Sequence, residues 1–393
     1  MRIPWMVPFL LAAVAPADTV RSGNPLADAG FEHFYSLEYD QALESFQAEA
    51  AQNPSSPDAL NHIAQTIMFR QIYRAGELES DLVTSANSFL FRPKIKLSTV
   101  DQERFSSALE RAMALEDGLL KKNPQDSGAL YTKGVSYGIR ANYNFLFKKA
   151  FFDALRDTTT ARKLESQVVE MDPSFIDARL ILGVHDYVVG SLGLGWKMLG
   201  SVSGFHGDRE QGIRTLKLVT EKGRLNRFDA QALLIAIYRR EKMPEAAIPL
   251  LNDSVQRFPR SSLPRFELAE MYGDLGDRDR ALAAIDEIER LKRADAPGYH
   301  TLPEAKIRFT RANALFSFND LDRAFAEMRL AVDHASELDS STAAFAWMRI
   351  GQIYDLKTQR REAVEAYRRA IQTAPDSDAA NESKGYISAR YKR

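Results

Sequence analysis

The residues best suited to chemistry in this chain are its 6 histidines and the carboxylates beside them. Two such groups, His185-Asp186 and His206-Gly207-Asp208, are close enough in sequence to converge on one edge of a helical fold. Paired imidazoles with carboxylate neighbours are what a divalent transition metal would use. A metal centre, however, takes at least three ligands, each oriented by further hydrogen bonds. Two histidines with ordinary aspartates fall short of that, so His185 reads as a structural residue, His206 as a loop or cap residue and Asp208 as a helix N-cap. The absence of cysteine excludes thiol nucleophiles, thiolate zinc sites, iron–sulfur clusters and disulfides. No His-Glu-x-x-His helix and no Walker A loop is present. Gly193-Leu194-Gly195 lacks the preceding strand that a dinucleotide-binding turn needs. The carboxylates lie on polar helix faces among arginines, as in Glu287, Glu289 and Arg290, a pattern of surface ion pairing. No catalytic residue, cofactor or metal is expected.

The elements that carry these residues follow a helical repeat. Trp347, Ile350, Gly351 and Tyr354 are followed by Ala363, Tyr367, Ala370 and Pro375. The same spacing returns in Leu268, Ala269, Tyr272, Gly276, Ala281, Ile285 and Ile288, and in Gly30, Tyr39, Ala42, Phe46 and Pro54. Further copies are Leu234, Ile235, Tyr238, Ala247, Leu251 and Pro259, then Ala312, Leu315, Phe318, Leu321, Ala324 and Ala331. Large and small side chains alternate so that two antiparallel helices can approach closely. This unit resembles the tetratricopeptide repeat (TPR), whose ideal period is 34 residues.

The small residue of each first helix (helix A) can be taken as Gly30, Ala64, Gly134, Gly183, Ile235, Ala269, Ala312 and Gly351. Its helix-B partner lies 12 positions on at Ala42, Ala247, Ala281, Ala324 and Ala363. For Ala112, Ala161 and Gly212 the step grows to 48, 27 and 29, so three insertions fall between helix A and helix B, near residues 77–104, 141–157 and 190–207. In stacked hairpins those turns share one edge. The expected fold is therefore all-α: a right-handed α-solenoid of about eight TPR-like hairpins over residues 18–393, with three insertions on one rim and a capping helix near 378–390.

The insertions are rich in aromatics: Phe89 and Phe91, then Tyr143, Phe145, Phe147, Phe151 and Phe152, then Trp196 and Phe205. They either pack on one another as a local core or present an outer layer to a partner. In the third, an amphipathic helix over Leu194 to Val202 is expected. The block Gly190 to Asp208 with Arg209 and Gly212-Ile213-Arg214-Thr215-Leu216 is similar, over about 50 residues, to the inclusion-body-clearance branch of TPR proteins.

The TPR resemblance implies a concave groove that binds an extended or helical segment. By register its walls are Asp229, Ala232, Arg239 and Arg240, then Phe266, Glu270 and Asp274, then Lys306, Phe309, Asn313 and Phe316, then Phe345, Met348, Gln352 and Asp355. This mixture lacks the dense Lys/Asn clamp that would grip a C-terminal carboxylate.

Met1-Arg2, an apolar run from Ile3 to Ala15 and the small residues Ala15-Pro16-Ala17 read as a signal peptide over residues 1–17, cleaved after Ala17. That run is about 13 residues against about 20 for a membrane-spanning helix, so no stable transmembrane anchor is expected and envelope association would be peripheral. The protein should be exported, periplasmic or secreted. With 52 basic and 53 acidic residues it has no pull toward nucleic acid. The expected function is a non-enzymatic scaffold binding a protein or peptide through the groove and the aromatic rim. The alternative is a ligand- or lipid-binding envelope protein with an apolar pocket under the rim.

Overall fold

The computed structural model describes residues 22–76, 95–191 and 207–393. The N-terminal segment 1–17, Phe89, Phe91, Trp196, Phe205, His206 and the helix expected over Leu194 to Val202 lie outside them. The described residues contain no strand and form eight antiparallel helical hairpins. These are α1 (Pro25–Tyr35) with α2 (Tyr39–Gln52), α3 (Pro57–Arg74) with α4 (Thr99–Lys122), α5 (Ser127–Tyr143) with α6 (Phe151–Met171), and α7 (Arg179–Gly190) with α8 (Arg209–Lys222). The second four are α9 (Arg227–Arg240) with α10 (Pro244–Arg257), α11 (Leu263–Asp274) with α12 (Arg278–Arg293), α13 (Glu304–Ser317) with α14 (Leu321–Asp333), and α15 (Ser340–Leu356) with α16 (Arg360–Thr373). Helix α17 (Asp378–Ser388) packs on the last pair.

Within each hairpin the A–B distance is set by a small residue facing a large one. A β-carbon on Gly30 would lie 2.4 Å from the Phe46 ring, and one on Gly351 2.4 Å from the Tyr367 ring. In the fourth hairpin the backbones themselves meet, since a β-carbon on Gly212 would lie 2.4 Å from the Tyr187 backbone nitrogen. The large residue stands four positions after the helix-B small residue in every hairpin: Phe46, Glu116, Glu165, Leu216, Leu251, Ile285, Met328 and Tyr367, all buried. Hairpins two and three thus hold a glutamate where the others hold a ring or an aliphatic chain.

Five hairpins close with one and the same three-residue turn. Its central residue, Leu37, Lys242, Gly276, Asn319 or Thr358, has φ between 55° and 74°. The next residue donates its backbone N–H five positions back, as in Asp320 to the Leu315 carbonyl at 3.0 Å and Gln359 to the Tyr354 carbonyl at 2.8 Å. This satisfies helix-end carbonyls that would otherwise be orphaned. Of the three interrupted hairpins, the second keeps a positive-φ residue after its helix A, Gly76 at φ 70°, and the third carries one before its helix B, Lys149 at φ 55°. In the third, a π-helical turn over Asn144–Lys148 precedes α6. It is pinned by the buried Asp157, which accepts two bonds from Arg140 at 2.7 and 2.9 Å and one from Asn144 at 2.9 Å.

The solenoid turns far enough for its first hairpin to meet its fifth. Tyr35 of α1 packs on Phe228 and Phe258 at ring separations of 5.5 and 5.1 Å and donates its hydroxyl to Asp229 at 3.0 Å. Arg260 pairs with Glu32 and Glu38, both at 2.9 Å, and Arg224 donates to the Ser22 carbonyl at 2.9 Å. Phe228 and Phe258 join the apolar core of the first hairpins. Burying each large ring stabilises the closure by roughly 1.5–3 kcal/mol, against about 0–1 kcal/mol for a partly exposed ion pair such as Arg260 with Glu32. The rings therefore hold the closure and the ion pairs orient it.

The last hairpin separates the two backbone rules. Gly351→Ala must push the Tyr367 ring aside and should cost about 1–3 kcal/mol. Thr358→Gly relieves a β-branched residue at positive φ and should add about 0.5–1 kcal/mol. Urea unfolding followed by Trp347 fluorescence should show the opposite signs.

Candidate functional site

Four carboxylates stand among the first five hairpins: Glu116 of α4, Glu165 of α6 and Asp177 are buried, and Asp229 of α9 is half-buried. Asp177 accepts the backbone N–H groups of Arg224, Leu225 and Asn226 at 2.8 to 3.0 Å and fixes the turn into α9. Asn226 bridges to the Tyr131 hydroxyl at 3.0 Å. Burial pushes the Asp229 carboxyl up to about 6, partly offset by its hydrogen bond from Tyr35. Glu116 accepts from the Ser136 hydroxyl at 2.8 Å and is raised to about 7 by burial. Glu165, 1 % exposed, has no hydrogen-bond partner for either oxygen and is raised to about 9 by burial and by the nearby Asp177.

These groups do not assemble a reactive centre. Among the described residues no three His, Asp or Glu side chains could hold a metal ion. His185 is buried in α7 with its Nδ1 3.5 Å from Asp186, and burial together with Arg162 lowers its pKa. Asp208 caps α8 by accepting from the Gln211 N–H at 2.9 Å. Gly134-Val135-Ser136-Tyr137-Gly138 matches the Gly-x-Ser-x-Gly pattern of a nucleophile elbow, a match that sequence reasoning missed. Here it lies inside helix α5 rather than on a strand-to-helix turn, and Ser136 is wholly buried, its hydroxyl within hydrogen-bond distance of both Asn61 and Glu116 at 2.8 Å. Small residues at a helix–helix contact explain the pattern.

The A helices of the last four hairpins bind one another through side chains on their shared face. Arg239 of α9, only 8 % exposed, pairs with Glu267 and Glu270 of α11. The Lys306 ammonium of α13 sits 5.9 Å from the centre of the Phe266 ring and 5.8 Å from that of Phe309. Phe309 meets Phe345 of α15 edge to face at 5.8 Å. Arg349 lies between Phe316 at 4.1 Å and Phe345 at 5.0 Å, donating to Asn313 at 3.0 Å and Gln352 at 2.8 Å. Its burial lowers it to about 10, and none of the described carboxylates forms an ion pair with it. Arg239 and Glu270, read from the sequence as separate contact residues, are bound to each other. Phe266, Phe316, Met348 and Gln352 are buried, while Phe309, Asn313 and Phe345 are half-buried walls. Arg240 stands apart, its guanidinium 6.0 Å from the centre of the Tyr187 ring.

The chain then returns to this face. After α17, residues 389–393 leave the helix, Ala389 taking extended backbone angles of φ −133° and ψ 121°, and run without regular structure. The Tyr391 N–H bonds Asp355 at 2.9 Å, and its ring meets Tyr386 at 5.3 Å and Phe316 at 6.4 Å. Arg393 lies 4.7 Å from the centre of the Phe316 ring and donates to Asn319 at 2.9 Å and to the Phe316 carbonyl. Sequence reading of the repeats had no signal for this return.

At the rim, the second insertion has two layers. Tyr143 and Phe147 are buried beside Phe105, the Tyr143–Phe105 separation being 4.3 Å. Phe145 is half-buried and packs edge to face on Phe151 at 5.5 Å, whereas Phe152 is 91 % exposed, with Phe151 and Leu155 also exposed.

Comparison with known proteins gives one family match, the tetratricopeptide repeat, over residues 346–377, the span of α15 and α16. A stretch of 126 residues, 32% of the chain, is 33% identical to the Homo sapiens Protein O-mannosyl-transferase TMTC1 and covers 13% of that protein. The APC/C hetero-tetramer Cut9-Hcn1 aligns over 92% of this chain and 75% of that chain, with 14% identity and a TM-score of 0.39. The human IFIT1 dimer with m7Gppp-AAAA aligns over 92% and 80%, with 14% identity and a TM-score of 0.43.

The buried glutamates give the fold a pH dependence. A carboxyl raised in the folded state favours folding while it is protonated, so Glu165 supports the fold below its ordinary value near 4.5 and opposes it progressively as pH climbs toward about 9. Glu165→Gln should therefore stabilise the protein at pH 8, by about 1–3 kcal/mol, and differ little from the parent at pH 4.5. Chemical denaturation at both values measures the difference, and equal effects at the two would contradict it.

Proposed function

With the chain identified as a tetratricopeptide-repeat protein, we propose that it is an exported, non-enzymatic scaffold that receives an extended protein or peptide segment. The segment would lie on the A-helix face of the last three hairpins, along Phe266, Phe309, Asn313 and Phe345. One observation carries this reading: hairpin one meets hairpin five through Tyr35 on Phe228, Phe258 and Asp229, and the A-helix face of the later hairpins lies beyond that contact. That groove combines aromatic edges with amide and cationic donors, the means by which repeat proteins hold a backbone and one or two anchor side chains. The mannosyl transfer in the name of TMTC1 belongs to that protein, and the described residues here offer no matching constellation for such chemistry. Export rests on Met1 to Ala17, and N-terminal sequencing of the protein recovered from outside the cytoplasm should begin at Asp18.

A second reading, in which the rim takes an apolar partner or the envelope surface, is favoured by the exposed Phe151, Phe152 and Leu155. No helix among the described residues is long and apolar enough to cross a membrane.

One experiment ranks the two. Panning a library of random linear peptides against the full chain should enrich binders whose affinity falls at least tenfold in Phe309→Ala/Phe345→Ala and is unchanged in Phe152→Ser. The reverse pattern would transfer the function to the rim, and circular dichroism should confirm equal helix content in all three proteins.

A further inference from the structure

The groove of the last two hairpins is already occupied by residues 389–393, and the manner of occupation describes a ligand. The segment has left helix α17 at Ala389, which has extended backbone angles, and engages α13, the α13–α14 turn and α15 through three kinds of contact. A backbone N–H is fixed on Asp355, a carboxylate with no exposed surface that also accepts from Tyr367 at 2.9 Å and from Arg360 at 3.0 Å. An aromatic ring, Tyr391, fills the space between Tyr386 and Phe316. Two positions on, the Arg393 guanidinium lies against the Phe316 ring and bonds Asn319 and the Phe316 carbonyl. A segment serving only to cover apolar surface would need the ring but not the directed bonds at either side of it.

We propose that residues 389–393 are a built-in competitor, and that the partner of this groove is an extended protein segment carrying an aromatic residue followed two positions later by an arginine or lysine. This rests on the groove reading above and deepens it by stating the partner's chemistry and its regulation. Both anchors, two positions apart, meet the same ring: Tyr391 lies 6.4 Å and Arg393 4.7 Å from Phe316, as alternate side chains of a locally extended partner would. Arg349 and Arg393 share the Phe316 ring, at 4.1 and 4.7 Å from its centre. An intramolecular segment acts at an effective concentration in the millimolar range, so a weak self-contact is enough to suppress binding of a matching partner.

The test uses the full chain and its Tyr391→Ala/Arg393→Ala form, with a fluorescent peptide Ala-Arg-Tyr-Lys-Arg as probe. The doubly substituted protein should bind the peptide at least tenfold more tightly than the parent. A peptide with both anchors changed to alanine should bind neither protein. Arg393→Gln alone, which keeps the Tyr391 ring in place, should give an intermediate gain. Equal affinity of the two proteins, indifference to the peptide's anchors, or no binding to the substituted protein would overturn the proposal. So would a dimer in sedimentation that the double substitution dissolves, because the segment would then serve a second copy of the chain. If library-selected peptides still bind while this probe does not, the groove reading stands and the competitor falls. If neither binds, both fall.

Discussion

Every other feature of this fold depends on how closely the two helices of a hairpin can approach. That approach is set by a small residue on helix A and a large one on helix B, and it fixes the angle that each hairpin passes to the next. Where the pair is Gly30 with Phe46 or Gly351 with Tyr367, the ring occupies the space a β-carbon would need. Hairpins two and three keep the spacing with a glutamate in the ring's place, and both glutamates are fully buried. Glu116 is supported by Asn61 and Ser136, whereas Glu165 has no such support and remains neutral at physiological pH. The geometry of the repeat is thus preserved while its stability is made dependent on protonation.

The accumulated angle brings hairpin one against hairpin five and divides the solenoid functionally. In the first part of the inner face, Tyr35 meets Phe228, Phe258 and Asp229. A solenoid closed on itself gains contacts between distant repeats, where an open one depends only on nearest neighbours. The early hairpins accordingly act as a base against which the later ones are held. This also gives the buried carboxylates a structural setting, since a chain lying in an open groove would leave them hydrated.

The hairpins were legible in the sequence because a 12-residue step between small residues is a local rule that five of the eight units obey by themselves. The three units that break it were located by the longer step. The closure was not legible, because it depends on small angles summed over five units and is made by side chains, such as Tyr35 and Phe258, that fit any amphipathic helix pattern. For the candidate groove, the wall positions could be transferred by register, but their state could not. Arg239 and Glu270 are 31 positions apart, and nothing in the order of residues reveals that they neutralise one another. The Gly-x-Ser-x-Gly stretch was missed in the sequence, and the pattern that has chemical meaning on a strand-to-helix turn has none inside a helix contact.

The groove also differs from its hairpins in what holds it. Helices A and B are joined by apolar packing, but successive A helices are joined across the groove by Lys306 on Phe266 and Phe309, by Phe309 on Phe345 and by Arg349 on Phe316 and Phe345. Cations over rings keep their charge while excluding water from the ring face, and each such contact contributes about 0.5–2 kcal/mol depending on desolvation. Joined in series, they fix the curvature of the face before any ligand arrives. A ligand then pays little to order its site, so affinity depends on matching anchors already in place. The same stiffness explains how five residues of the chain can hold the face: the surface they meet is formed by the A helices themselves and does not wait for them.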